Sequence, residues 1–121
     1  MIVYLNTKRI SLITIKNNMI KLFSYGTLCE KDVQLKEFGQ EFYVEPHLDY
    51  ITGWDIIKVK MYGEYHKVAI PNESSNSTIM GAIIHIPEEI MPLVDEYEGL
   101  EYKKVSIKTL SELECIMYVK R

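Results

Sequence analysis

Turn-forming residues break residues 42–70 so often that no long helix fits there. Pro46, Gly53 and Gly63 divide a stretch rich in Tyr, Val and Ile into runs of strand length. The stretch reads as three short strands joined by turns, with antiparallel pairing the economical arrangement. Residues 20–25 have the same β character, as do residues 79–86, which follow the polar loop PNESSNST at residues 71–78. Residues 102–110 and 113–119 form a closing hairpin around Ser111 and Glu112. Helical signals occur in two places only. Thr27 followed by Glu30 is a capping-box pattern, so a helix is expected from Leu28 to Phe38, closed by Gly39. Residues 87–98 place Ile90, Leu93, Val94 and Tyr97 at helical spacing, with Pro87 suited to the first turn and Gly99 as the stop. Pro92 either kinks this second helix or marks its true start. The pattern predicts an α+β domain on a mixed, barrel-like sheet of about six to seven strands with two short flanking helices.

The 121 residues, 47% of them apolar, suffice for one domain with one core. Lys and Arg are spread singly through a chain of net charge −3, which offers no basic stripe and argues against nucleic acid as a main partner. Cys29 and Cys115 match no metal-ligand or redox spacing, so neither a metal nor a disulfide is expected and a reducing, cytoplasmic setting is the simplest reading. Residues 1–18 contain three basic residues and no acidic ones. Lys8, Arg9 and Lys16 interrupt their apolar run, which excludes a secretory signal, and no stretch is long enough to span a membrane. These residues read as an extension outside the core, with Met19 as a candidate start and residues 19–121 as the domain. The sequence carries no signature of oligomeric state.

Two constellations can carry chemistry. In the turn Tyr25-Gly26-Thr27-Leu28, glycine permits close backbone approach and the following helix offers unpaired N–H groups to a carboxylate or oxyanion. The alternative is that Thr27 and Glu30 merely cap the helix. Glu98 projects to the apolar edge of the second helix, between Val94 and Met91, while Asp95 and Glu96 point elsewhere. Burial and the negative end of the helix dipole would both raise its pKa and make it a stronger base. A solvated carboxylate in an acidic last turn is the competing reading. Tyr102 heads the next strand and is a secondary pocket candidate, with simple packing as its alternative. Cys29, near a helix N-terminus, raises a cysteine-nucleophile rival that would need His47, His66 or His85 nearby. The aromatics between Tyr43 and Tyr65, with Trp54, are expected in the core, and Lys103 and Lys104 on a solvated strand edge.

LFSYGTL at residues 22–28, VDEYEG at residues 94–99 and YKKV at residues 102–105 together resemble the gamma-glutamylcyclotransferase-like family in order and spacing. The likeness runs from about Ile20 to Val119. It implies a small mixed β-barrel flanked by helices. It also implies that Tyr25, Gly26, Thr27 and Leu28 bind substrate and that Glu98 is the catalytic acid/base. The implied reaction cyclises a gamma-glutamyl group to 5-oxoproline and releases a free amine, with no metal or cofactor. The partner would be a gamma-glutamyl small molecule. A non-catalytic binding module of the same fold would show the same residues.

Overall fold

The computed structural model describes residues 19–74 and 76–121, so the expected extension, residues 1–18, lies outside the described residues. Strand β1 (Met19–Ser24) occupies the middle of the sheet. It pairs antiparallel with β6 (Thr78–Pro87) and parallel with β8 (Glu114–Lys120), which makes the sheet mixed, as expected. Strand β7 (Tyr102–Lys108) adds antiparallel to β8 and forms one edge.

Alternation along these strands sends side chains to two different cores, because successive residues of a strand face opposite sides of the sheet. Leu22, Ile84, Ile86 and Tyr118 pack with Leu28, Met91 and Val94 from the helical segments. Their strand neighbours Phe23, Ile83, Met117 and Val119 pack on the other face with Ile51 and Ala69. A sheet buried on both faces requires the near-continuous apolar runs seen in IIHI and CIMYV.

Residues 42–70 form four strands rather than three. These are β2 (Tyr43–Val44), β3 (Asp49–Thr52), β4 (Trp54–Met61) and β5, which runs on to Pro71 (Glu64–Pro71). The pairing is antiparallel, but β2 and β3 both pair with β6 instead of with each other. At ten residues, β6 is long enough to take two short partners in succession. At Gly81 this strand passes close to β1: a Cβ there would lie 2.5 Å from the Phe23 ring and 2.8 Å from the Ser24 carbonyl. Of these four strands only β4 and β5 form a hairpin, turning through Tyr62 and Gly63, both at positive φ.

The strands do not close into a barrel: the described residues form a six-stranded sheet and a separate two-stranded hairpin. β5 lies against β8 without a ladder between them. A side chain spans the gap. The Tyr25 hydroxyl donates to the Tyr118 carbonyl at 2.9 Å and accepts the Ala69 N–H at 3.1 Å.

Both helical segments begin later than the sequence signals suggest. Thr27–Cys29 is a single 3-10 turn, and α1 (Lys31–Phe38) follows, closed by Gly39 at φ 72°. Glu88–Ile90 is likewise a 3-10 turn before α2 (Met91–Glu98), which places Pro92 in the first turn of the helix where its missing N–H costs nothing. Pro87 ends β6 rather than opening the helix.

Candidate active site

The C-terminal end of β1 leads directly into the turn at Tyr25. The capping box does not form there: no side chain caps either helical segment, and the Thr27 carbonyl accepts the Glu30 N–H at 2.9 Å. The Thr27 hydroxyl instead lies 3.3 Å from the Tyr97 hydroxyl on α2. Gly26 adopts extended backbone, and a Cβ on it would meet nothing within 4 Å, so the peptide faces open space. Gln34, fully buried on α1, fixes the turn from behind. Its amide donates to the Leu28 carbonyl at 2.8 Å and accepts the Phe42 N–H at 2.7 Å.

A cleft of about 720 Å³ opens beside this turn. Tyr25, Gly26 and Thr27 line it together with Glu98 and Tyr102, so residues more than seventy positions apart in the chain meet at one surface. Leu28 does not line it; its side chain is 3% exposed and belongs to the helix-side core.

Glu98 is the last residue of α2, one helical turn beyond Val94, which is completely buried. Burial pushes its carboxyl up from the ordinary 4.5 to about 7. No hydrogen bond to this carboxyl occurs among the described residues, which agrees with desolvation as the cause. Asp95, one turn earlier, behaves in the opposite way. Burial pushes its carboxyl up as well, but hydrogen bonds from the Tyr118 hydroxyl and from Lys104, at 3.1 Å, outweigh this and hold it low. Lys104 is therefore an anchor for α2 rather than only a solvated edge residue.

The two tyrosines feel the same surroundings. Burial pushes Tyr25 up to about 12, with the nearby Tyr102 and Glu98 adding to the effect, so its hydroxyl stays protonated. Tyr102 is raised by burial and by the charges of Glu98 and Glu101.

The other wall of the cleft was not legible as such in the sequence. Met61, Tyr62, Tyr65, His66 and Lys67 on the β4–β5 hairpin all line it. Tyr62 and Tyr65 were expected in the core but are 86% and 70% exposed. The Tyr62 hydroxyl reaches across to donate to Glu101 at 3.0 Å, and Lys120 lies 3.8 Å from the same carboxylate. Gly63 marks the turn at the tip in the sequence, but a turn by itself does not show that the strands beside it project into solvent.

The cysteine rival finds little support. Cys29 does not line the cleft, burial pushes its thiol up, and its Sγ donates to the Gly26 carbonyl at 3.4 Å. His85 is engaged elsewhere, 2.6 Å from Glu45. Among the described residues no group of three or more His, Cys, Asp or Glu is placed to hold a metal, and no helix is long and apolar enough to cross a membrane.

Comparison with known proteins bears on the fold and the family. No curated protein sequence matches the chain significantly. An Arabidopsis thaliana protein solved in solution matches at TM-score 0.69 and 19% identity, over 84% of this chain and 62% of the other. An uncharacterized Homo sapiens protein matches at TM-score 0.66 and 14% identity, over 87% and 68%. A protein described as gamma-glutamyl cyclotransferase matches at TM-score 0.62 and 14% identity, over 85% and 67%. At these identities the likenesses establish the fold, a mixed α+β sheet with two helices, and this chain spans less than two thirds of the first of them. The family model for gamma-glutamyl cyclotransferase, AIG2-like proteins matches residues 22–121, from β1 to the last residue, and the chain belongs to that family.

Proposed function

We propose that residues 19–121 form an enzyme that cyclises a gamma-glutamyl group to 5-oxoproline and releases the amine it was joined to, with Glu98 as its single acid/base. The observation that carries this reading is a carboxyl raised to about 7 by burial, facing the Tyr25–Thr27 turn across one cleft. A group with that pKa is poised to take and return a proton near neutrality.

The substrate's own α-amine is the nucleophile. The α-ammonium loses one proton to solvent to become a free amine; as its nitrogen bonds to the γ-carbonyl carbon Glu98 takes a second, and Glu98 returns that proton to the leaving nitrogen as the old amide C–N bond breaks, which leaves 5-oxoproline with one N–H and a free amine. Holding amine and carbonyl together accounts for much of the rate, since orientation of this kind lowers barriers by up to about 7 to 11 kcal/mol. Gly26, with open space on its Cβ side, lets the substrate approach the backbone, and the amides of the turn are suited to its carboxylate or to the developing oxyanion. Tyr102 sits close enough to feel the charge of Glu98 and is suited to orient it or the leaving nitrogen. Both cysteines are free, which agrees with a cytoplasmic location.

Testing requires a panel of gamma-glutamyl amino acids, gamma-glutamyl amines, isopeptide-linked lysine and glutathione, assayed for 5-oxoproline with the parent and Glu98→Gln. Release by the parent and its loss in the variant is the expected result. Calorimetric binding with no release anywhere on the panel would replace this reading with that of a non-catalytic binding module.

A further inference from the structure

The hairpin wall contains an unfilled set of backbone hydrogen-bonding groups. In an antiparallel pair, residues alternate between those whose N–H and C=O face the partner strand and those whose groups face away. Two bonds fix this alternation on β5. The Asn72 N–H donates to the Gly53 carbonyl at 2.8 Å, so even-numbered residues of β5 bond to β4. The Ala69 N–H points the other way, to the Tyr25 hydroxyl. The register between β4 and β5 is unbroken from Trp54↔Pro71 to Met61↔Glu64, so Lys67 and Tyr65 share the orientation of Ala69. Their N–H and C=O groups face the free edge of β5, where both residues line the cleft. Among the described residues neither residue has a backbone bond outside the hairpin ladder.

Charge singles out one of these positions. Glu30, Glu98 and Glu101 line the cleft, whereas Lys67 is the one Lys or Arg among its described lining residues. Glu101 is engaged by Tyr62 and Lys120, but Lys67 has no ion pair among the described residues. Two residues of strand separate Lys67 from Ala69, about 6.6 to 6.8 Å. Its ammonium and edge N–H are therefore within reach of an amino-acid or dipeptide leaving portion that starts beside Tyr25 and Glu98.

We propose that the free edge of β5 at Tyr65 and Lys67 is the subsite for the leaving portion, and that it selects gamma-glutamyl compounds whose leaving portion is a carboxylate-bearing amino acid or peptide. The edge amide and carbonyl pair with the leaving portion's peptide-like groups, as an added strand would, and the Lys67 ammonium holds its carboxylate. This rests on the cyclisation reading above.

Three substrates separate the contributions: gamma-glutamyl-alanine, gamma-glutamyl-alanine amide, which lacks the negative charge, and gamma-glutamyl-ethylamine, which lacks the carboxyl group. 5-Oxoproline release is measured for the parent, Lys67→Met and Lys67→Arg, with melting curves as a check on folding. The parent is expected to prefer the acid in kcat/KM, and Lys67→Met to lose roughly tenfold to hundredfold on the acid relative to the ethylamine. Lys67→Arg keeps the preference. Equal losses on all three substrates would overturn the proposal, since Lys67 would then serve the glutamyl unit common to them, and so would a parent with no preference. Release from none of the three, by parent and Glu98→Gln alike, would instead overturn the cyclisation reading, and this subsite would fall with it.

Discussion

Two carboxylates three positions apart at the end of α2 are driven in opposite directions by their surroundings. Glu98, desolvated and without hydrogen bonds among the described residues, is held near 7, while Asp95 is held low by Tyr118 and Lys104. The consequence for stability has a definite sign. The folded chain binds the Glu98 proton more tightly than the unfolded chain, so between the ordinary value of 4.5 and the folded value stability falls as pH rises. Above pH 7 the penalty for burying the ionised group is complete. Glu98→Gln is therefore expected to exceed the parent in stability by about 1 to 3 kcal/mol at mildly alkaline pH, and to lose that advantage in acid, as read by urea unfolding at both pH values. Helical projection brought Glu98 to the apolar edge but left it balanced against a solvated residue, because periodicity reports a direction and not what lies across the gap. Tyr25 shows the same limit, since nothing in LFSYGTL reveals that its hydroxyl bridges β8 to β5. Tyr25→Phe leaves the Ala69 N–H without that partner and is expected to cost about 1 to 3 kcal/mol in urea unfolding.

At the scale of elements, strand character, the two helical segments and the closing hairpin were all readable from local pattern. Partners were not. The capping-box pattern failed because the Thr27 carbonyl is taken up in a 3-10 turn and its hydroxyl faces Tyr97, a residue seventy positions away. The aromatics of residues 43–65 suit strands packed in a core, and only the tertiary arrangement shows Tyr62 and Tyr65 lining a cleft. Gln34 is the least expected element-joining residue, a polar side chain with no exposure that ties α1 to the turn and to the residue before β2. Gln34→Leu would strand the Phe42 N–H and the Leu28 carbonyl at once. The expected cost is about 2 to 4 kcal/mol, with faster amide hydrogen exchange at Phe42 as the specific readout.

Over the whole molecule, the central sheet is covered on one face by helices and on the other by a hairpin, and the cleft opens where the second cover fails to pair with the first sheet. The expected barrel would need a ladder between β5 and β8, but Tyr25 occupies that position and leaves β5 with a free edge at the site. Close approach of β6 to β1 within the sheet depends on Gly81. A methyl group there would overlap the Phe23 ring and the Ser24 carbonyl, so Gly81→Ala is expected to destabilise by about 1 to 3 kcal/mol and to lower the melting temperature. The proposed role of Glu98, a base that works near neutrality, follows from its burial at the rim of the cleft. Its most direct test is the pH dependence of 5-oxoproline release by the parent, in kcat/KM, with Glu98→Gln alongside. The prediction is an activity that rises with an apparent pKa of about 7 and a variant reduced by roughly a hundredfold or more at every pH. A rise centred at the ordinary glutamate value of 4.5, or a variant as active as the parent, would contradict it.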